Sequence, residues 1–123
     1  MTFPSFISNE ARPSLYRFID HIAYIADLVG IDHVGIGLDH SDVQSPFCDD
    51  DYARRVYAEL LEEGTWSTAS YPEPPYYSPA GLETPAKYAN LTEQLLKRGF
   101  SREDTEKVMG QNWMRVYRSV WGE

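Results

Sequence analysis

Val34-Gly35-Ile36-Gly37-Leu38 reads as a β-strand, and no other stretch of the chain does so convincingly. It is too short for a helix and is flanked by polar residues, the pattern of a strand buried on both faces of a parallel sheet. A lone strand has no ladder partner. Its backbone N–H and C=O groups would be orphaned in an apolar setting, at substantial cost. Either the strand pairs with strands of another chain, or the sequence is a piece of a larger β/α protein.

Everything else reads as helix or loop. Leu15, Phe18, Ile19, Ile22, Ile25, Ala26 and Val29 recur at three- and four-residue spacing and predict a helix over 14–29, with Gly30 at its C-terminal end. A second helix is expected at about 50–63, with Asp49, Asp50 and Asp51 at its positive N-terminal end and Gly64 after it. Residues 65–85 form a Pro/Tyr-rich loop holding five of the eight prolines. Loops of this length in compact domains are lids or binding loops when ordered, and passive connectors otherwise. Asn90 with Glu93, and Ser101 with Asp104, resemble capping pairs for two further helices, the second reaching about Met109. A last helix, roughly 111–121, carries Trp113, Met114, Val116, Tyr117, Val120 and Trp121 over more than half its circumference, which predicts burial from more than one side.

Composition excludes several classes. A net charge of -8 argues against nucleic acid and anionic membrane surfaces, which call for clustered basic side chains. Cys48 is the single cysteine, so internal disulfides and thiolate-rich metal sites are excluded, and a reducing, cytoplasmic setting fits. No apolar run approaches the roughly 18 residues of a spanning helix. The Met1–Glu10 start lacks the basic region of a secretion signal.

Helix, short loop, strand and then an abrupt aspartate is the grammar of a β/α barrel or open α/β sheet. Catalytic groups in barrels sit at the C-terminal ends of strands, and the N-terminal ends carry stability. That places Asp39 and His40 on the active face and His33 on the stability face. His40-Ser41-Asp42 spells His-x-Asp, but two candidate ligands do not make a zinc site. His21, within a helix, and Cys48, in a loop without a neighbouring base, read as structural or inert.

The run Gly30-Ile31-Asp32-His33-Val34-Gly35-Ile36-Gly37-Leu38-Asp39 resembles the last barrel strand of the renal (membrane) dipeptidase family of zinc metallopeptidases. Ile19-Asp20-His21-Ile22 is similar to the helix before that strand. Asn90 to Ser101 and Met109-Gly110-Gln111-Asn112-Trp113-Met114-Arg115-Val116 resemble the family's C-terminal region, the latter matching a Gly-x-Asn-hydrophobic-x-Arg-Val pattern. The resemblance implies the C-terminal third of a (β/α)8 TIM-like barrel that hydrolyses dipeptides at a dinuclear zinc centre. It places the family's metal ligands upstream of the matched region, so no metal ligand is assigned here. Asp39 maps onto the family's acidic residue beside the metals, where it would orient or protonate the leaving amine or bind the substrate's amino group. His40 stands where the family carries an aromatic residue. The 65–85 loop falls where some members carry an insertion, which makes His40, Tyr76 and Tyr77 the candidate substrate contacts.

The reading is therefore α/β: residues 1–123 as a single partial domain, mostly helical as an isolated chain. It is expected to be inactive without the metal-binding N-terminal part, and to self-associate or bind a complementary barrel chain. The alternative is a non-catalytic acidic helical interaction module derived from such a barrel.

Overall fold

Ser14 starts the first helix, α1 (Leu15–Val29). Its hydroxyl accepts the Arg17 N–H at 3.2 Å, and Gly30, at φ 89°, closes the helix by donating to Ala26 O at 2.8 Å. A left-handed φ at this position favours glycine, so the expected 14–29 span and its terminal glycine both hold. The computed structural model describes residues 13–38, 50–71, 73–74 and 78–122. α1 buries Phe18, Ile19 and Ile22 of the expected stripe, with Leu15 and Ala26 partly buried against the core. Ile25 and Val29, with Leu28 and Tyr24 beside them, are exposed.

A 3-10 turn, Ile31–His33, leads into Val34–Leu38. The latter is not part of a sheet. Among the described residues the recorded β-pairing is a single parallel bridge between Ser14 and Ala80. Alternation along the segment is nevertheless that of a strand: Val34 and Leu38 are buried, Ile36 is partly buried, and Gly35 and Gly37 lie on the exposed side. The expected burial on both faces is thus corrected to burial on one. Side chains of α1 and the C-terminal helices cover the Val34/Leu38 face; on the other, Trp113 lies against Gly35 and nothing among the described residues lies against Gly37.

α2 (Asp50–Glu62) ends before Gly64, whose φ of 72° again suits glycine. The loop after it is fastened at both ends. Near its start the Tyr57 hydroxyl donates to Tyr71 O at 3.0 Å, and Trp66 stacks on Tyr71 with ring centroids 4.3 Å apart. Near its end Ala80 N–H donates to Pro13 O at 2.9 Å, and Pro79 and Leu82 are fully buried.

α3 (Tyr88–Lys97) begins earlier than the Asn90–Glu93 pair suggested, and Asn90 is not its cap. A 3-10 turn, Pro85–Lys87, starts the helix with a proline whose missing N–H costs nothing there. Asn90 uses its amide elsewhere, donating to Gly81 O at 3.0 Å. The second cap holds: Ser101 accepts the Asp104 N–H at 3.0 Å and opens α4 (Arg102–Glu106). That helix passes into a π-type turn, Lys107–Gln111, and then α5 (Asn112–Trp121).

The core gathers Phe18, Ile19 and Ile22 of α1, Val34 and Leu38, Leu82, Leu91 and Leu95 of α3, and Val108. α5 contributes no apolar side chain to it. Trp113, Met114, Val116, Tyr117, Val120 and Trp121 are all exposed, the last at 75 %, which corrects the expected burial from more than one side. An apolar circumference states what a helix must bury in its complete setting, and the described residues hold no element to bury it. No described helix is long and apolar enough to cross a membrane.

Candidate functional site

The first turn of α5 holds the backbone of the extended segment with side chains. Both hydrogens of the Asn112 amide are spent: one on Ile31 O and one on Val34 O, each at 2.8 Å. Trp113 Nε1 donates to Ile36 O at 3.1 Å, and Arg115 donates to Asp32 O at 2.6 Å. In an extended chain alternate residues present their polar groups to the same edge. Val34 and Ile36 therefore share one edge, and helix side chains occupy it where a neighbouring strand would otherwise bond. Gly35 is required by this clasp, because a Cβ there would lie 2.5 Å from Trp113 Nε1. The other edge, that of Gly35 and Gly37, carries no pairing among the described residues.

A second link joins α1 to the end of α3. The Arg98 guanidinium donates to the Asp20 carboxylate and lies over the Tyr16 ring, 3.9 Å from its centroid. Both links connect segments far apart in sequence. They unite Asp20 with Arg98, and the Ile31–Ile36 backbone with Asn112–Arg115.

Leu38, buried at the far end of the segment, leads directly to Asp39. Asp39, His40, Asp42, Cys48, Tyr76 and Tyr77 lie outside the described residues, so the catalytic, substrate-binding and His-x-Asp assignments rest on sequence. Among the described residues no three His, Cys, Asp or Glu side chains gather as a metal site would require. That part of the chain does not fit a dinuclear zinc centre.

The near end of the segment is better defined. A concave surface of about 740 Å³ opens there, lined by Asp32, His33, Lys107, Met114, Arg115 and Arg118 among others. A smaller hollow continues it past Arg115 to Trp113 and Val116. Lys107 Nζ lies 3.0 Å from Asp32 Oδ1 and 3.1 Å from Glu103 Oε1. The hydrogen bond from Lys107, and then its charge, hold the Asp32 carboxyl below its ordinary value. Hydrogen bonds to Asp32 and Glu103 raise Lys107 in turn. His33 stands at the N-terminal entry of the segment, as expected, with its side chain exposed. Sequence reasoning passed over this cluster because its members are separated by more than seventy residues.

The chain as a whole is similar to known proteins. An amidohydrolase from Pseudomonas aeruginosa superposes with a TM-score of 0.75 at 31% identity, over 98% of this chain and 35% of that one. Dipeptidase ataJ of Aspergillus terreus is 30% identical over 92% of this chain, and dipeptidase tcpJ of Claviceps purpurea 25% identical over 98%. The chain spans 20% and 21% of the length of those two relatives. The sequence profile of the membrane dipeptidase family, peptidase family M19, matches residues 1–73 and 70–121. The chain belongs to the membrane dipeptidase family.

Proposed function

We propose that this chain is the C-terminal part of a (β/α)8 dipeptidase barrel, a single partial domain. Completed by a chain or segment supplying the other strands and a dinuclear zinc centre, it hydrolyses dipeptides. The observation that carries this reading is the Ile31–Leu38 segment. It alternates like a strand, buries one face, leaves Gly37 open on the other and, among the described residues, has one edge without pairing, as a barrel strand without its neighbours would. The next strand would add along the Gly35–Gly37 edge, since α5 already occupies the other. Asp39 would then emerge at the C-terminal end of the strand, where barrel catalysis is located. Its carboxylate would orient the substrate amine or deliver a proton to the leaving nitrogen. His40, Tyr76 and Tyr77 would line the substrate side. Alone, the chain would be inactive, and its work would be done in the cytoplasm.

A second reading is favoured by one feature. Trp113, Tyr117 and Trp121 stack in sequence along α5, with centroid spacings of 5.8 and 4.7 Å, on a helix that is otherwise uncovered. A non-catalytic interaction module, self-associating or binding a partner, would present such a face.

A chimera separates the two. This chain would replace the matched 35% of the Pseudomonas amidohydrolase, and zinc-dependent dipeptide hydrolysis would be assayed beside Asp39→Asn. An active chimera that loses about 100-fold in kcat with Asp39→Asn supports the enzyme reading. A folded, zinc-loaded chimera indifferent to Asp39→Asn would remove Asp39 from the mechanism.

A further inference from the structure

Past Asn112, α5 is exposed along its whole length: from Trp113 to Trp121 no residue is buried. Asn112, Trp113 and Arg115 hold its first turn to the extended segment. Its apolar side chains are nevertheless in order. Trp113, Val116, Tyr117, Val120 and Trp121 stand at i, i+3, i+4, i+7 and i+8, one continuous stripe. The three aromatic rings of that stripe stack in sequence, and Trp113 at its foot is fixed by the bond to Ile36 O. Side chains already ordered before a contact forms lose little freedom in making it. Such a stripe is the anchor pattern of a helix that lies in an apolar groove.

The Pseudomonas amidohydrolase indicates what supplies the groove. The match covers 98% of 123 residues and so leaves out fewer than three, whereas α5 has ten. The helix therefore belongs to the shared fold. The match takes in only 35% of the other chain, so nearly two thirds of that protein lies outside it and is available to cover the stripe. A second copy of this chain is a poorer cover. Residues 112–121 include Arg115 and Arg118 and no Asp or Glu, so two α5 helices meeting stripe to stripe would bring like charges together.

We propose that the Trp113–Tyr117–Trp121 stripe is the docking face for the metal-bearing part of the dipeptidase barrel, a chain or segment that offers it an apolar groove. This rests on the dipeptidase reading and adds the surface on which the two parts meet. Docking there has a consequence for the sheet. Two glycines in Val34–Leu38 specify strand register weakly, so another element has to set it. The first turn of α5 already holds the carbonyls of Ile31, Val34 and Ile36. A partner seated on the stripe is thereby placed against a segment whose one edge is fixed, and its own strand adds along the Gly35–Gly37 edge in the register that the helix dictates.

The test compares the full chain with the Pseudomonas chimera by thermal unfolding and by amide exchange read on peptides from α5. Exchange over residues 116–121 should be about tenfold or more slower in the chimera than in the isolated chain. Tyr117→Ala and Trp121→Ala leave the bonds of Asn112, Trp113 and Arg115 in place. Both should lower the melting temperature of the chimera and leave that of the isolated chain unchanged, with circular dichroism confirming that the variants fold. Exchange in α5 that is the same in both proteins would overturn the proposal, as would variants that destabilise both equally. Self-association of the isolated chain, seen by light scattering and abolished by either variant, would overturn it by assigning the stripe to a second copy. A chimera that fails to fold beside a folded parent would overturn both this proposal and the reading it rests on. Zinc-dependent hydrolysis separates the two otherwise. An active chimera with α5 unprotected removes the docking face alone, and an inactive chimera with α5 protected removes the enzyme reading alone.

Discussion

α1 and α5 are both amphipathic, yet they are held in opposite ways. α1 is attached by apolar burial: Phe18, Ile19 and Ile22 enter the core with Leu91 and Leu95 of α3 and the completely buried Leu82. α5 is attached by hydrogen bonds from one turn, and its large apolar side chains face solvent. Apolar burial is non-directional and tolerates small shifts, whereas the clasp of Asn112, Trp113 and Arg115 fixes the path of one backbone segment. The first therefore supplies stability and the second position. The segment that α5 positions is the one leading to Asp39.

The largest effect should come from the apolar side. Leu95 is fully buried between α1 and α3. Leu95→Ala should cost about 2–5 kcal/mol, transfer loss plus the cavity left behind. Urea denaturation followed by circular dichroism reads it directly. A cost below about 1 kcal/mol would mean that the α1–α3 contact is not the stabilising core, and the contrast with α5 would collapse.

The clasp predicts a smaller loss of a different kind. Asn112 is buried, and Asn112→Leu removes a donor from two carbonyls at once. Leaving them unsatisfied should cost about 1–3 kcal/mol. Amide exchange should accelerate in residues 31–38 while α1 stays protected. Uniform acceleration across both would show that the two attachments are one cooperative unit.

These two regions also differ in how far sequence announced them. α1 was legible because its stripe, Pro13 and Gly30 are all local. The Ser101–Asp104 cap was legible for the same reason. Asn90–Glu93 has the same spelling as a cap, but Pro85 starts the helix upstream, and local pattern cannot tell an interior Asn from a capping one. The burial expected of the last helix was misjudged because periodicity records what a helix can bury and not what stands beside it. The clasp has no periodicity at all, since Asn112 and Val34 are 78 residues apart. Its residues were nevertheless visible as the Gly-x-Asn-hydrophobic-x-Arg-Val resemblance. The structure gives that motif a physical meaning: Asn112 and Arg115 are there to hold the carbonyls of the Gly-x-Asp-His-Val-Gly run. The cavity beside them depends on the same long-range contact and was not legible.

The smallest effect concerns the ion pair at the edge of that clasp. Asp32 is lowered from 3.8 and Lys107 is raised from 10.5, each chiefly by a hydrogen bond to the other. A carboxyl with a lowered folded-state value contributes stability that is complete above 3.8 and is lost as pH falls through the lowered value. A raised lysine contributes stability present below 10.5, lost as pH rises through the folded value. The pair therefore stabilises most across the neutral range and weakens toward both extremes. Asp32 is 60% exposed, so solvent and salt screen the interaction and the change should be slight. Denaturation midpoints measured from about pH 6 to pH 2, for the native chain and Asp32→Asn, should converge as the native carboxylate protonates. Added salt should narrow the gap at neutral pH. A gap that persists at pH 2 would instead show that the effect of Asp32→Asn does not come from the carboxylate charge, because the Arg115 bond to the backbone carbonyl is common to both chains. Position, and not charge, would then be what this corner contributes.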